Sequence, residues 1–66
     1  MESEIEKAVE EFSPLYDEVT TSDLQGLCMA RAMQILRAHG HADDVISVMN
    51  LSDKILEAIY EKEEKP

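Results

Sequence analysis

The sequence contains little that would stabilise a small protein covalently. It has a single cysteine, so no disulfide can form within the chain, and no group of Cys and His has the spacing of a zinc site. Two glycines and two prolines leave no flexible linker, and no apolar run approaches the roughly 20 residues that span a membrane. These absences predict one small domain over residues 1–66 with no metal, no cofactor and no membrane contact.

Positive charge is also scarce. Fifteen Asp and Glu stand against six Lys and Arg, and the net charge of −9 is unevenly distributed. Residues 1–23 carry −7, residues 24–41 carry +2, and residues 42–66 carry −4. This pattern favours packing of both acidic flanks beside the middle segment, and it argues against direct binding to nucleic acid or to anionic lipid.

The first residues and the single thiol lead to an expectation about the compartment. Residues 1–11 are acidic and lack the basic and then apolar pattern of a signal peptide. One cysteine in an apolar helical context is typical of a reducing compartment. We therefore expect a cytoplasmic protein.

The middle segment, from Ser22 to His39, predicts the central helix. Ser22 and Gln25 have the spacing of a capping box, and Gly40 is a suitable stop. At helical spacing its apolar residues form two faces, the first made of Leu24, Leu27, Cys28, Ala32 and Ile35, and the second of Met29, Met33 and Leu36. Because one stripe suffices to pack against one layer, two faces predict burial from two directions.

Each flanking segment predicts one amphipathic helix. The first runs from about Ser3 to Val19 and is bent or broken at Pro14, since proline removes a helical hydrogen bond. The third begins at a cap, Asp43 or His41, and extends to about Glu63 without a break at Ser52. Its apolar stripe comprises Val45, Val48, Met49, Ile55, Leu56, Ile59 and Tyr60.

These elements together predict an all-α protein, a three-helix bundle or helical hairpin that dimerisation completes as a bundle. Residues 1–3 form a frayed acidic start, and residues 61–66 form a charged tail. A domain of 66 residues buries only about 60% of its unfolded surface, so oligomerisation is the expected source of additional stability.

No residue group predicts catalysis. His39 and His41, with Asp43 and Asp44 nearby, are the one gathering of candidate metal ligands, but a turn offers no surrounding groups to orient them. Cys28 lies within an apolar face, which is typical of a core thiol rather than a nucleophile. We therefore expect no catalytic, cofactor or metal residues and no enzymatic activity.

The second face of the central helix predicts the interaction site. Met29, Met33 and Leu36 are expected to pack on a second copy or on a protein partner, because methionine adapts to irregular surfaces. Arg31 and Arg37 diverge by about 120° on the helix, so each is expected to pair separately with acids of the flanking helices.

The leading functional hypothesis is a small acidic regulatory or adaptor protein, a homodimer that modulates a larger and still unidentified protein. An alternative is an acidic antagonist of a nucleic-acid-binding protein that imitates phosphate. Small size and acidity are also common among accessory proteins of phages and mobile elements, although no particular residue supports that origin. A helix-turn-helix DNA reader is less favoured, since Asp43 and Asp44 would repel phosphate.

Overall fold

A computed structural model describes residues 1–65. Within that range the chain forms three α-helices and no strand, in the order α1 (Glu2–Phe12), α2 (Thr21–Ala38) and α3 (Val45–Glu64), with a 3-10 turn at Ser13–Leu15 after α1. The predicted all-α fold is confirmed, and its helix packing is that of a three-helix bundle. Helix α1 begins at Glu2 and helix α3 ends at Glu64, so most of each terminal segment that was expected to fray is helical.

The first arm is broken at Pro14, one of the two outcomes that the sequence left open. Helix α1 ends at Phe12, and Ser13–Leu15 tighten into a 3-10 turn because Pro14 has no N–H for a helical bond to Glu10. The buried Ser13 hydroxyl donates to the Val9 carbonyl at 2.6 Å. The segment after the break still turns its apolar side inward, since Leu15, Tyr16 and Val19 pack against the core.

Helix α2 starts slightly earlier than the capping-box prediction implied. Thr20, rather than Ser22, is the N-cap, and its hydroxyl accepts the Asp23 N–H at 3.1 Å. Threonine at this position satisfies one of the amide groups that the first helical turn leaves unpaired. Ser22 lies inside the first turn and is exposed.

The predicted stop at Gly40 is confirmed. Gly40 has a φ of +70°. Its N–H donates to the backbone carbonyl of Arg37, and the His41 N–H donates to the backbone carbonyl of Leu36. This pair of bonds is a Schellman motif, which uses the left-handed conformation that glycine adopts without strain. Residues 39–44 then lead into α3.

Helix α3 is continuous through Ser52, as predicted, but its cap differs from both expected residues. Asp44 is the N-cap, and its carboxylate accepts the Ser47 N–H at 2.8 Å. The pKa of Asp44 lies below its usual value, mainly because this hydrogen bond favours the ionised carboxylate. Asp43 is instead bound to Arg37.

Helices α2 and α3 form an antiparallel hairpin, and α1 packs across one side of it. The start of α2 and the end of α3 meet, since Thr21 and Leu24 line one cavity with Tyr60 and Glu64. The buried apolar side chains form a single core: Ala8, Phe12, Leu24, Cys28, Ala32, Ile35, Leu36, Val48, Leu51, Ile55, Leu56 and Ile59.

Gly26 has open space around it within one chain. A side chain added at Gly26 would meet no atom within 4 Å. Gly26 is exposed on the outside of α2.

In residues 1–65 no helix combines the length and apolar character that crossing a membrane requires.

Candidate interaction surface

The structure divides the three residues predicted to face a partner. Met29 is 41% exposed, Met33 is half-buried against the core, and Leu36 is only 7% exposed. Leu36 therefore contributes to the core of a single chain and is not available on its surface. Leu27, which we expected on the core face, is 38% exposed.

Arg31 marks the side of α2 that faces α1. Its guanidinium lies 2.9 Å from the Glu11 carboxylate and 5.0 Å from the centre of the Phe12 ring, so it binds α1 by an ion pair and a cation–π contact. Met29 and Met33 are each two residues from Arg31, which places them about 160° around the helix. Both methionines therefore lie on the side of α2 that faces away from α1.

Arg37, the second arginine expected to pair with an acid, contacts the segment after α2 rather than a flanking helix. Its Nε lies 2.6 Å from the Asp43 carboxylate. The hydrogen bond from Arg37 is the main reason that the pKa of Asp43 lies below its usual value. This exposed ion pair ties the end of α2 to the segment that leads into α3.

The start of α3 carries the most exposed apolar side chains of the described residues. Val45 is 73% exposed, Ile46 is 74% exposed and Met49 is 50% exposed. Ala58 of the same helix lines a groove with Ile5 and Val9 of α1, so it marks the side of α3 that faces α1. At 100° per residue, the three exposed side chains lie about 120° to 180° from Ala58.

These placements produce one apolar surface on the side of the hairpin away from α1. We call it the α2–α3 face, and it consists of Met29, Met33, Val45, Ile46 and Met49. Met33 is five residues before the end of α2 and Met49 is four residues after the start of α3, so both lie near the turn. Four of the five side chains are 41–74% exposed, and exposed apolar patches often mark an interaction site.

The α2–α3 face is also nearly free of charge. No Asp or Glu occurs from Leu24 to Ala42, and no charged residue of either sign occurs from Val45 to Ser52. The remaining acids lie on α1, on the segment after it, at the start of α2, around the second turn and on the later part of α3. An uncharged apolar region in a chain of net charge −9 is the clearest asymmetry of the molecule.

The other candidate groups, the Cys28 thiol and the histidines, are either buried or in contact with side chains of the same chain. Cys28 is fully buried, and burial raises the pKa of its thiol to about 11, so the thiol is protonated at neutral pH. His39 Nε2 lies 2.7 Å from the Glu4 carboxylate, a contact that lowers the pKa of Glu4. The His39 and His41 rings stack at 6.3 Å, and residues 1–65 contain no group of three or more acidic, His or Cys side chains placed to hold a metal ion.

Sequence reasoning missed Ile46 and placed Val45 and Met49 in the core stripe of the third helix. A signal was present, because Val45 and Ile46 are adjacent and adjacent helical residues diverge by about 100°. Both side chains cannot enter one narrow core. The excess of apolar residues at the start of α3 therefore indicated a second buried direction, like the one inferred for α2.

Comparison of the chain with known proteins adds no identification. No family model, no curated protein and no solved structure matches it.

Proposed function

We propose that this chain is a non-enzymatic interaction protein that self-associates through the α2–α3 face and modulates a larger protein partner. One observation carries the proposal: Met29, Met33, Val45, Ile46 and Met49 form an uncharged apolar surface on an otherwise acidic molecule. A surface of this kind favours a protein contact, because covering it removes apolar area from water.

The size of the face supports a second copy as its occupant. A stable interface covers about 800 Å² on each partner, with an apolar centre and a polar rim. The α2–α3 face, with four side chains that are 41–74% exposed, would supply the apolar centre of such an interface. In a two-fold dimer each copy presents the same face, so the two hairpins would form a four-helix layer with α1 on either side.

Charge supports the same occupant. Two copies of a chain with a charge of −9 repel one another, and the repulsion is strongest where acids face acids. On α2 and the first part of α3 the closest side chains are apolar, and Arg37 near the turn is paired with Asp43. Self-association is therefore least opposed at this face.

The non-enzymatic part of the proposal is supported by the chemistry of the remaining groups. The single thiol is buried and protonated, and His39 is bound to a carboxylate at the surface. Methionines at a contact surface can adapt to a second occupant, which suits a protein that exchanges a partner for its own copy.

Sedimentation equilibrium of three variants tests self-association. Met29→Glu and Met49→Glu place a charge in the proposed contact, whereas Leu27→Glu places the same charge on the α1 side of α2. Leu27 and Met29 are matched in exposure, 38% and 41%. We expect a wild-type dimer of twice 7.5 kDa, at least about tenfold weaker association for the two methionine variants, and less than about twofold change for Leu27→Glu.

Two results would contradict the dimer. The first is a wild-type protein that remains monomeric at about 500 µM, above the range in which interfaces of this size associate. The second is equal weakening by Leu27→Glu while circular dichroism reports an intact fold, because that would place the contact elsewhere.

The partner is tested by capture from the native host on immobilised wild type, Met29→Glu and Leu27→Glu. A protein retained by wild type and Leu27→Glu, lost with Met29→Glu and unaffected by moderate salt supports an apolar contact. Basic proteins that moderate salt releases from all three variants would instead support the acidic antagonist of a nucleic-acid-binding protein.

A further inference from the structure

The opposite end of the hairpin contains a cavity that the interaction hypothesis does not use. It has a volume of about 440 Å³ and lies where the segment after α1, the start of α2 and the end of α3 meet. Its lining residues are Tyr16, Val19, Thr21, Leu24, Tyr60 and Glu64. A volume of this size falls in the range of small-ligand sites.

Both tyrosines of the chain line this cavity. Their ring centres lie 5.7 Å apart at an angle of 79°, so the two rings are almost perpendicular to one another. The faces of aromatic rings carry negative electrostatic potential, and a cation seated over such a face is attracted to it. In this edge-to-face pair one ring face is occupied by the edge of the other ring, and the remaining faces point in different directions.

A carboxylate reinforces the negative potential of the rings. The Tyr16 hydroxyl donates a hydrogen bond to Glu64, which holds the Glu64 carboxylate at the cavity. That bond is the main reason that the pKa of Tyr16 rises to about 12, so the ring remains neutral at physiological pH. Anions are therefore disfavoured in this cavity.

The rest of the lining selects among cations. Half-buried Val19 provides most of the apolar wall, with Leu24 buried behind it, and Thr21 contributes a single side-chain hydroxyl. A primary ammonium has three N–H donors. Among the described residues, the only side-chain acceptors in this lining besides the tyrosine hydroxyls are the Thr21 hydroxyl and the Glu64 carboxylate, which already accepts from Tyr16. A quaternary ammonium has no N–H donor, and its methyl groups can contact both the rings and the aliphatic side chains.

We propose that this cavity binds a quaternary ammonium group, with Tyr16 and Tyr60 contacting its methyl groups and Glu64 balancing its charge. The group can belong to a free alkylammonium compound or to a trimethylated lysine on a protein. The inference is independent of self-association, because the α2–α3 face lies near the turn at the other end of the hairpin.

Tyrosine fluorescence provides a direct test, since the chain has no tryptophan and both of its tyrosines line the cavity. Choline is compared with 3,3-dimethylbutan-1-ol, which has the same shape but a neutral carbon in place of the charged nitrogen. We expect saturable binding of choline with a dissociation constant on the order of 1 mM and at least about tenfold weaker binding of the alcohol. Equal binding of both compounds, or no saturable change with choline, would overturn the proposal.

Variants locate the site. Tyr60→Leu removes one ring, and Glu64→Gln removes the charge while preserving the shape of the side chain. Glu61→Gln is the matched control, an exposed acid of the same helix outside the cavity lining. We expect about tenfold weaker choline binding for Tyr60→Leu, about fivefold for Glu64→Gln and no change for Glu61→Gln. Equal weakening of choline binding by Glu64→Gln and Glu61→Gln would contradict the proposed site, because it would indicate general attraction by an acidic surface. This comparison remains decisive even if Tyr60→Leu fails to fold.

The two sources of the group are separated by a second titration with the blocked amino acid N-acetyl-trimethyllysine methylamide and its unmethylated counterpart. Tighter binding of the trimethylated form than of choline assigns the site to modified proteins, and tighter binding of choline assigns it to a free compound. Both results support the proposal. Tighter binding of the unmethylated lysine than of either quaternary compound would refute it.

Discussion

At the scale of single residues, burial rather than residue type decides what an isoleucine contributes. Ile55 is fully buried at the centre of the core, whereas Ile46, on the same helix, is 74% exposed. The same substitution at the two positions therefore separates core packing from a surface contact.

We expect Ile55→Ala to lower the free energy of unfolding by about 2–5 kcal/mol and Ile46→Ala to change it by less than about 0.5 kcal/mol. Urea unfolding followed by circular dichroism, at a concentration below self-association, measures both. Because a domain of this size has a total stability of only about 5 kcal/mol, Ile55→Ala should unfold at a much lower urea concentration than wild type. A similar loss for the two variants would mean that Ile46 is covered within one chain.

Cys28 provides a second prediction at this scale. The side chain is fully exposed to reagent only when the fold opens, and its pKa of about 11 keeps the thiol protonated. We expect a disulfide reagent such as DTNB to modify native Cys28 at pH 8 at least about 100-fold more slowly than the urea-unfolded chain. Comparable rates in the two states would place the thiol at the surface.

The same raised pKa gives a dependence of stability on pH. Between the ordinary value of 9.0 and about 11 the folded chain keeps the Cys28 proton that the unfolded chain loses. Cys28 therefore makes its full contribution to the free energy of unfolding below pH 9, and this contribution decreases as the pH rises toward 11. Wild type should lose stability over this range relative to Cys28→Ala, measured in parallel by thermal melting.

At the scale of elements, the helix ends depend on individual side chains. Thr20 caps α2, and Ser22, two residues later, makes no capping bond. We expect Thr20→Ala to cost about 1 kcal/mol of unfolding free energy and Ser22→Ala less than about 0.3 kcal/mol. Urea midpoints of the two variants test the assignment, and a larger effect at Ser22 would favour the capping box instead.

The two glycines give opposite expectations. Gly26 lies within α2 with open space around it, so Gly26→Ala should raise the unfolding free energy by about 0.5–1 kcal/mol. Gly40 has a φ of +70°, so Gly40→Ala should lower it by about 1–2 kcal/mol. Thermal melting at a dilute, monomeric concentration measures both. A destabilised Gly26→Ala would mean that the space around Gly26 is filled within one chain.

At the scale of the whole molecule, the net charge of −9 opposes the self-association that we propose for the α2–α3 face. Salt screens the repulsion between copies but leaves apolar contacts intact. We expect the dimer to strengthen by about three- to tenfold between 0.05 M and 0.5 M NaCl. Sedimentation equilibrium measures the change, and a double variant, Glu61→Gln with Glu63→Gln, should show a smaller one. Weakening by salt would mean that ion pairs hold the copies together.

Much of the architecture could be predicted because helices follow from local patterns. The central helix was expected from Ser22 to His39 and occurs at Thr21–Ala38, and the continuity of α3 through Ser52 followed from an apolar phase that does not shift. The caps were less predictable, because several neighbouring residues, such as Asp43 and Asp44, can each supply an oxygen. Asp44 is the cap, while Asp43 is bound to Arg37.

The candidate sites were less predictable than the helices. The surplus of apolar residues on α2 was evident, but which of them remain exposed depends on where α1 packs. Leu36 is buried between the helices of the hairpin, and Met29 is exposed because α1 covers the opposite side. The cavity between Tyr16 and Tyr60 joins residues 44 positions apart, and no local pattern connects them.

The amino-acid sequence alone determined the helical class, the stop at Gly40 and the acidic character, since each depends on neighbouring residues or on composition. Only the tertiary structure decided that Val45, Ile46 and Met49 lie at the surface, and that both tyrosines line one cavity with Glu64. The physical reason is that an amphipathic helix specifies which of its residues avoid water, but the position of the neighbouring helices determines which of them are covered.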